Sequence, residues 1–134
     1  MQKEVIQEFS NLQSSLEKYE YLLDLGKKLQ CEEWIKKEQY ALKGCQSQVW
    51  IHAEEIECKV HFRADSDSLI LRGVLALLLR VLDHQKADDI IGANLFFLKE
   101  IGLESGFSPS RANGVSTIVN SIRGICEQFV RSDN

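Results

Sequence analysis

The stretch Ile56-Glu57-Cys58-Lys59-Val60-His61-Phe62-Arg63-Ala64 alternates strictly between apolar and polar side chains. It then runs through Asp65-Ser66-Asp67-Ser68 into a long apolar segment that begins at Leu69. A period of two puts Ile56, Cys58, Val60, Phe62 and Ala64 on one face of a strand, turned toward a core. The Asp/Ser run is helix-capping chemistry. Beyond it, Leu69, Ile70, Val74, Leu75, Leu77, Leu78 and Val81 occupy too much of a helix circumference for one-sided burial, which predicts a central helix to about Leu82.

Working outward from this unit, residues 48–53 predict a partner strand, with Val49 and Ile51 on one face and Gln48, Trp50 and His52 on the other. A hairpin turning near Glu54 and Glu55 would bring Cys45 beside residues 64–67. Trp50 is expected to pack under the first helices, with a contact surface beside Cys45 as the other reading. Upstream, Val5, Ile6, Phe9 and Leu12 share one face of a short helix. Ser14 with Glu17 makes a capping box that opens a second helix through Leu16, Tyr19, Leu22 and Leu23 to about Leu29, with Gly26 marking either close packing or an early end. Residues 30–43 show no period and predict an irregular connection with one helical turn. Downstream, a short helix spans 87–91 and another 95–103, the latter with Phe96, Phe97 and Ile101. Ser108-Pro109 opens a final helix whose stripe is Val115, Ile118, Val119, Ile122, Ile125, Cys126 and Phe129.

The chain has 134 residues, 16 of them basic and 20 acidic, for a net charge of −4. That length suits one domain, 1–134, with one core. No basic cluster interleaved with aromatics tracks a phosphate backbone, so nucleic acid is not an expected partner. No segment approaches the roughly 20 apolar residues of a membrane span, and residues 1–11 have neither the apolar run of a signal peptide nor the Arg/Ser bias of a transit peptide. The expectation is a soluble, cytoplasmic protein without membrane contact.

Four cysteines, at 31, 45, 58 and 126, lack any Cys-x-x-Cys or close Cys/His spacing, so no metal site is expected and reduced thiols are the better reading. Cys58 on the strand's apolar face and Cys126 on the last helix's stripe read as small core residues. Cys31 sits among Glu32 and Glu33, which raise a thiol pKa. Cys45 differs. Gly44 lets the backbone bend and leaves the sulfur's approach clear, while Gln46, Ser47 and Gln48 add polar groups, the setting of a reactive thiol. His52, His61 and His84 read as solvated side chains. The Asp/Ser run next to Cys45 allows two readings, in which Ser66 to Ser68 help shelter an anionic sulfur at the helix start or Asp65 and Asp67 serve only as caps.

With these residues in view, Gly44-Cys45-Gln46-Ser47-Gln48-Val49-Trp50, together with Ala64-Asp65-Ser66-Asp67, Gly73, Leu103, Ser108-Pro109-Ser110-Arg111 and Gly114, resembles the SufE family of cysteine desulfuration proteins. The resemblance runs in order along nearly the whole chain. It implies an α+β single domain, a small antiparallel sheet of two or three strands packed against several helices, similar to iron–sulfur scaffold proteins. It also implies that Cys45 takes sulfane sulfur from a pyridoxal-phosphate cysteine desulfurase of the SufS type and passes it to a downstream scaffold, with no cofactor of its own. Gly44, Gln46, Ser66, Asp67 and Arg111 are the candidate loop-support and partner-binding residues. Arg111 opposes the dipole of the helix it opens, so it either docks a partner or pairs with an internal carboxylate. Two departures stand out: Tyr40 replaces an asparagine common before the cysteine, and the inter-strand turn lacks its usual glycine. Alternatives are a thiol oxidoreductase, which needs a resolving cysteine; an acceptor for a CsdA-type desulfurase; and a cluster-building scaffold, which needs several ligands around one site.

Overall fold

The alternating stretch and its upstream partner form a two-stranded antiparallel hairpin, β1 (Val49–Ile56) and β2 (Lys59–Ser66), in a computed structural model that describes residues 1–30, 32–44, 47–102 and 109–132, without the side chains of residues 109–111 and 132. Around it lie α1 (Gln2–Ser10), α2 (Ser15–Lys28), two single 3-10 turns (Glu33–Ile35 and Glu38–Tyr40), α3 (Leu69–Leu82), α4 (Ala87–Ile91), α5 (Phe97–Glu100) and α6 (Pro109–Ser132). This is the expected α+β arrangement. No helix among the described residues is long and apolar enough to cross a membrane.

Val49, Ile51, Val60, Phe62 and Ala64 are buried on the inner face of the hairpin, against α3 on the β2 side and α6 on the β1 side. The register pairs Val49 with Ser66 and Ile56 with Lys59, so the turn falls on Glu57 and Cys58. That corrects the expectation of a turn at Glu54 and Glu55, and with it the inward placement of Cys58, which is exposed, as is Ile56. Both turn residues have left-handed φ, 53° and 67°, the type I′ pattern that ordinarily selects asparagine followed by glycine. Neither residue type signals a turn, so the apolar/polar alternation runs unbroken through it in the sequence. The double variant Glu57→Asn with Cys58→Gly is expected to add about 1 kcal/mol in denaturant unfolding, because the left-handed penalty is relieved. An unchanged or lower midpoint would contradict the turn assignment.

α3 begins and ends where the pattern places it. Ser68 is its N-cap, accepting from the Leu71 amide, and its buried residues include Ile70, Leu71, Val74, Leu75, Leu77, Leu78, Val81 and Leu82. Half of the capping box forms as expected: the Ser14 hydroxyl accepts from the Glu17 amide, while the Glu17 carboxylate accepts from the N–H of Gln13, one residue before the cap, at 3.1 Å. Of the α2 residues read as core, Leu22 is buried but Leu16 and Tyr19 are exposed. The helix runs through Gly26 to Lys28 without a break, and it meets α3 along a narrow line at that glycine. A Cβ on Gly26 would overlap the Leu69 carbonyl oxygen, and one on Gly73 would overlap that of Leu22. The two glycines let the backbones touch.

α1 buries Val5 and Phe9 and is tied across the bundle by Glu8, which takes both terminal nitrogens of Arg80 and the Tyr21 hydroxyl. The Arg80 hydrogen bond holds the Glu8 carboxyl below its ordinary value despite partial burial. The pair's modest, solvent-screened stabilisation is therefore present above the ordinary carboxylate range and is lost as pH falls through the depressed value. Of the helix predicted at 95–103, whose last residue Leu103 lies outside the described residues, 95–102 hold only the single turn of α5, with Phe97 and Ile101 buried, Phe96 exposed and Gly102 turning the chain at φ 78°. In α6, Val115, Ile118, Ile122 and Cys126 are buried, as the stripe predicts.

Candidate functional site

Cys45 and Gln46 lie outside the described residues, and so do Cys31 and the Arg111 side chain. Both flanks of Cys45 are described. On the upstream side, the Leu42 amide donates to the Val49 carbonyl at 2.8 Å, and Ala41 bridges Trp50 in antiparallel fashion. The chain thus leaves and rejoins β1 at neighbouring points, with residues 43–48 between them. Gly44 is exposed at φ 90°, and a Cβ there would meet nothing within 4 Å. Its value is conformational, since a side chain would have room but would strain the backbone.

On the downstream side, Gln48 is held to the junction of β2 and α3 by three bonds. Its amide donates to Asp67 Oδ1 at 2.9 Å, while its carbonyl accepts from the Asp67 amide at 3.1 Å and from the Ser66 hydroxyl at 2.7 Å. Ser66, only 5% exposed, also accepts from the Ser68 amide at 3.1 Å. The expected position of Cys45 beside residues 64–67 falls outside the described residues; Gln48, three positions later in sequence, bonds to Ser66 and Asp67. Of the capping run, only Ser68 caps. Ser66 and Asp67 instead bond to Gln48, because four polar side chains stand where the helix needs one, which leaves the others for the neighbouring strand.

Asp65 is buried under this junction. Its Oδ1 accepts from the Ser66 amide at 2.7 Å, and its carboxylate lies 3.4 Å from both Lys36 Nζ and Arg72 Nε. Arg72 in turn donates to the Leu29 carbonyl at 3.1 Å, linking the end of α2 to the same point. Hydrogen bonding to Glu33, aided by Asp65, raises the Lys36 pKa, and the ammonium lies 5.8 Å from the Trp50 ring centre. Removing the charge of a buried carboxylate while its cations stay partly solvated costs less than breaking a fully buried ion pair. Asp65→Asn is expected to cost about 1–3 kcal/mol in chemical denaturation. A loss below a few tenths would mean the two cations are already satisfied by water.

Trp50 is half-buried beneath the 3-10 turns, not under the first helices. On the same strand face, His52 packs edge-on between Trp34 (ring centres 4.7 Å) and Tyr40 (5.1 Å), so it is not the solvated residue expected. Arg63 reaches the Trp34 ring and pairs with Glu32. This aromatic cover was missed because residues 30–43 carry no period; the one signal was two aromatic rings, Trp34 and Tyr40, opposite a strand face already bearing Trp50 and His52. Cys126 is fully buried, and burial pushes its thiol up to about 11, which leaves it protonated and unreactive near neutrality.

The sequence matches the SufE family, described as an Fe-S metabolism associated domain, over residues 3–126. It is 35% identical over 115 residues to SufE-like protein 1, chloroplastic/mitochondrial, of Arabidopsis thaliana, covering 84% of this chain and 31% of that protein. The chain thus spans about a third of that relative's length. An uncharacterized SufE-like protein of Synechocystis is 34% identical over 117 residues, with 85% of this chain and 72% of that one covered. The solution structure of a hypothetical protein from Thermus thermophilus shares the fold, with a TM-score of 0.78 at 19% identity over 97% of this chain and 96% of that one. With a match that runs almost end to end and two such relatives, this chain belongs to the SufE family, whose domain is described as associated with Fe–S metabolism.

Proposed function

We propose that the chain is a sulfur acceptor and carrier in which Cys45 relieves a pyridoxal-phosphate cysteine desulfurase of its persulfide and hands the sulfur to a downstream scaffold. The observation that carries this reading is the double anchoring of the Cys45 segment, Leu42 to Val49 on one side and Gln48 to Ser66 and Asp67 on the other. Fixed ends present the intervening thiol to a partner at a small entropic cost.

In the transfer, the Cys45 thiolate attacks the outer, sulfane sulfur of the desulfurase persulfide. The sulfur–sulfur bond of the donor breaks, the donor cysteine leaves as a thiolate, and a new sulfur–sulfur bond forms on Cys45. No electron is gained or lost overall, and no dedicated acid and base pair is needed. Ser66 and Asp67 act as braces for the loop, Gly44 supplies its bend, and Gln46 and Arg111 are assigned to partner contact. The chain itself acts as an accessory to the desulfurase, in a reducing setting such as the cytoplasm, which suits an exposed, unpaired Cys58.

A resolving cysteine for oxidoreductase chemistry is not at hand among the described residues. Cys58 sits at the hairpin turn, the opposite end from Gln48, roughly 25 Å along an eight-residue strand, and Cys126 is buried. Peptide mass spectrometry after incubation with a desulfurase and cysteine tests the proposal. One added sulfur on the peptide containing Cys45 is the expected result, and an internal disulfide in its place would overturn it.

A further inference from the structure

We propose that His61, Asp83 and His84 form a surface site for a divalent transition ion of the zinc(II) class, toward the end of the hairpin away from Gln48. The two histidines lie far apart in sequence, on β2 and after α3, so no linear spacing marks them. In the fold, one ligand atom from each of the three residues lies within 4.8 Å of the others, and the imidazole centres are 4.3 Å apart.

The arrangement is held from behind. Asp83 Oδ1 accepts from the Phe62 amide at 2.9 Å and from the His84 amide at 3.1 Å, which leaves Oδ2 on the imidazole side, 3.2 Å from His84 Nε2. The His84 amide donates to the Val60 carbonyl at 2.9 Å and the Val60 amide to the Gln85 carbonyl at 2.8 Å, so residues 84 and 85 are stitched to the strand that bears His61. His84 takes a left-handed φ of 62°, uncommon outside glycine, at the point where the chain turns back onto that strand. Metal-ligating groups fixed by such outer hydrogen bonds bind with less reorganisation.

The donor set decides the class of ion. Two imidazole nitrogens and one carboxylate oxygen suit zinc(II) and its neighbours, whereas calcium and magnesium ask for oxygen ligands throughout. His84 is 64% exposed and Asp83 27%, so water has access to the remaining coordination positions. Glu54 pairs with His61 in the register and shares its face, which places a further carboxylate on the adjoining strand. His61 and Ser66 are separated by roughly 16 Å along β2, so an ion here would clamp the hairpin to the end of α3 without touching the Ser66–Gln48 contact.

Cobalt(II) titrated into the reduced full chain, followed by its visible d–d absorption, tests the site. One ion is expected to bind, with broadening of the His61 and His84 imidazole proton signals. His61→Gln and His84→Asn, the latter chosen because asparagine accepts a left-handed φ, should each weaken binding by at least about tenfold while the circular dichroism of the metal-free protein stays unchanged. Absence of uptake by the wild type, or binding that survives in the double variant, would overturn the proposal.

Discussion

Gly26→Ala is expected to lower stability by roughly 2–4 kcal/mol, although alanine is by far the better helix former. Intrinsic propensity alone would add about 1 kcal/mol. Against it stands the position of the new methyl, which overlaps the Leu69 carbonyl oxygen, lies 3.1 Å from the Gly73 amide nitrogen and 3.2 Å from Arg72 Cβ. Two of these atoms are backbone of α3, so relief requires the helices to separate, and Leu22 and the residues of α3 around it lose packing together. Gly73→Ala meets the Leu22 backbone from the other side and should behave alike. For a chain of this size the midpoint of thermal unfolding should drop by about 10 °C. Gly124→Ala, within α6 and with nothing within 4 Å of its new methyl, is the control and should gain about 1 kcal/mol. A stabilised Gly26→Ala protein would mean that α2 and α3 do not touch as described.

Much of this frame is legible in the order of residues. The Ser14/Glu17 pair, the bounds of α3 and the stripe of α6 follow from local chemistry, because capping and a 3.6-residue period are decided within one or two turns. The hairpin turn was not legible, since Glu57 and Cys58 enter left-handed conformations without the asparagine or glycine that announces them. Residues 33–40 carry no period of their own; only the sheet face bearing Trp50 and His52 gives Trp34 and Tyr40 something to pack on. The Asp65–Ser68 run shows the same limit at the candidate site. Its composition says helix cap, and Ser68 is one, but the bonds of Ser66 and Asp67 to Gln48 and of Asp65 to Lys36 and Arg72 depend on a strand and a loop far away in sequence. His61 and His84 likewise meet only through the pairing of residue 60 with 84 and 85.

The second large effect concerns function. Cys45→Ser replaces a thiol by a hydroxyl of similar size, which is far too weakly acidic to supply a nucleophilic anion near neutrality and forms no persulfide. The hydrogen bonds on either side of the cysteine run through backbone groups of Leu42, Gln48 and Val49 and through the side chains of Ser66 and Asp67, none of which the change touches. The fold should therefore persist while sulfur acceptance is lost altogether. By contrast Ser66→Ala, which removes the hydroxyl's bond to the Gln48 carbonyl and leaves the thiol, should slow transfer without abolishing it.

The most direct measurement is the rate at which a cysteine desulfurase converts cysteine to alanine, alone, with the wild-type chain, and with Cys45→Ser of verified fold. Wild type is predicted to raise the rate, and the variant to leave it at the level of the desulfurase alone. A folded Cys45→Ser protein that raises the rate as wild type does would contradict the account.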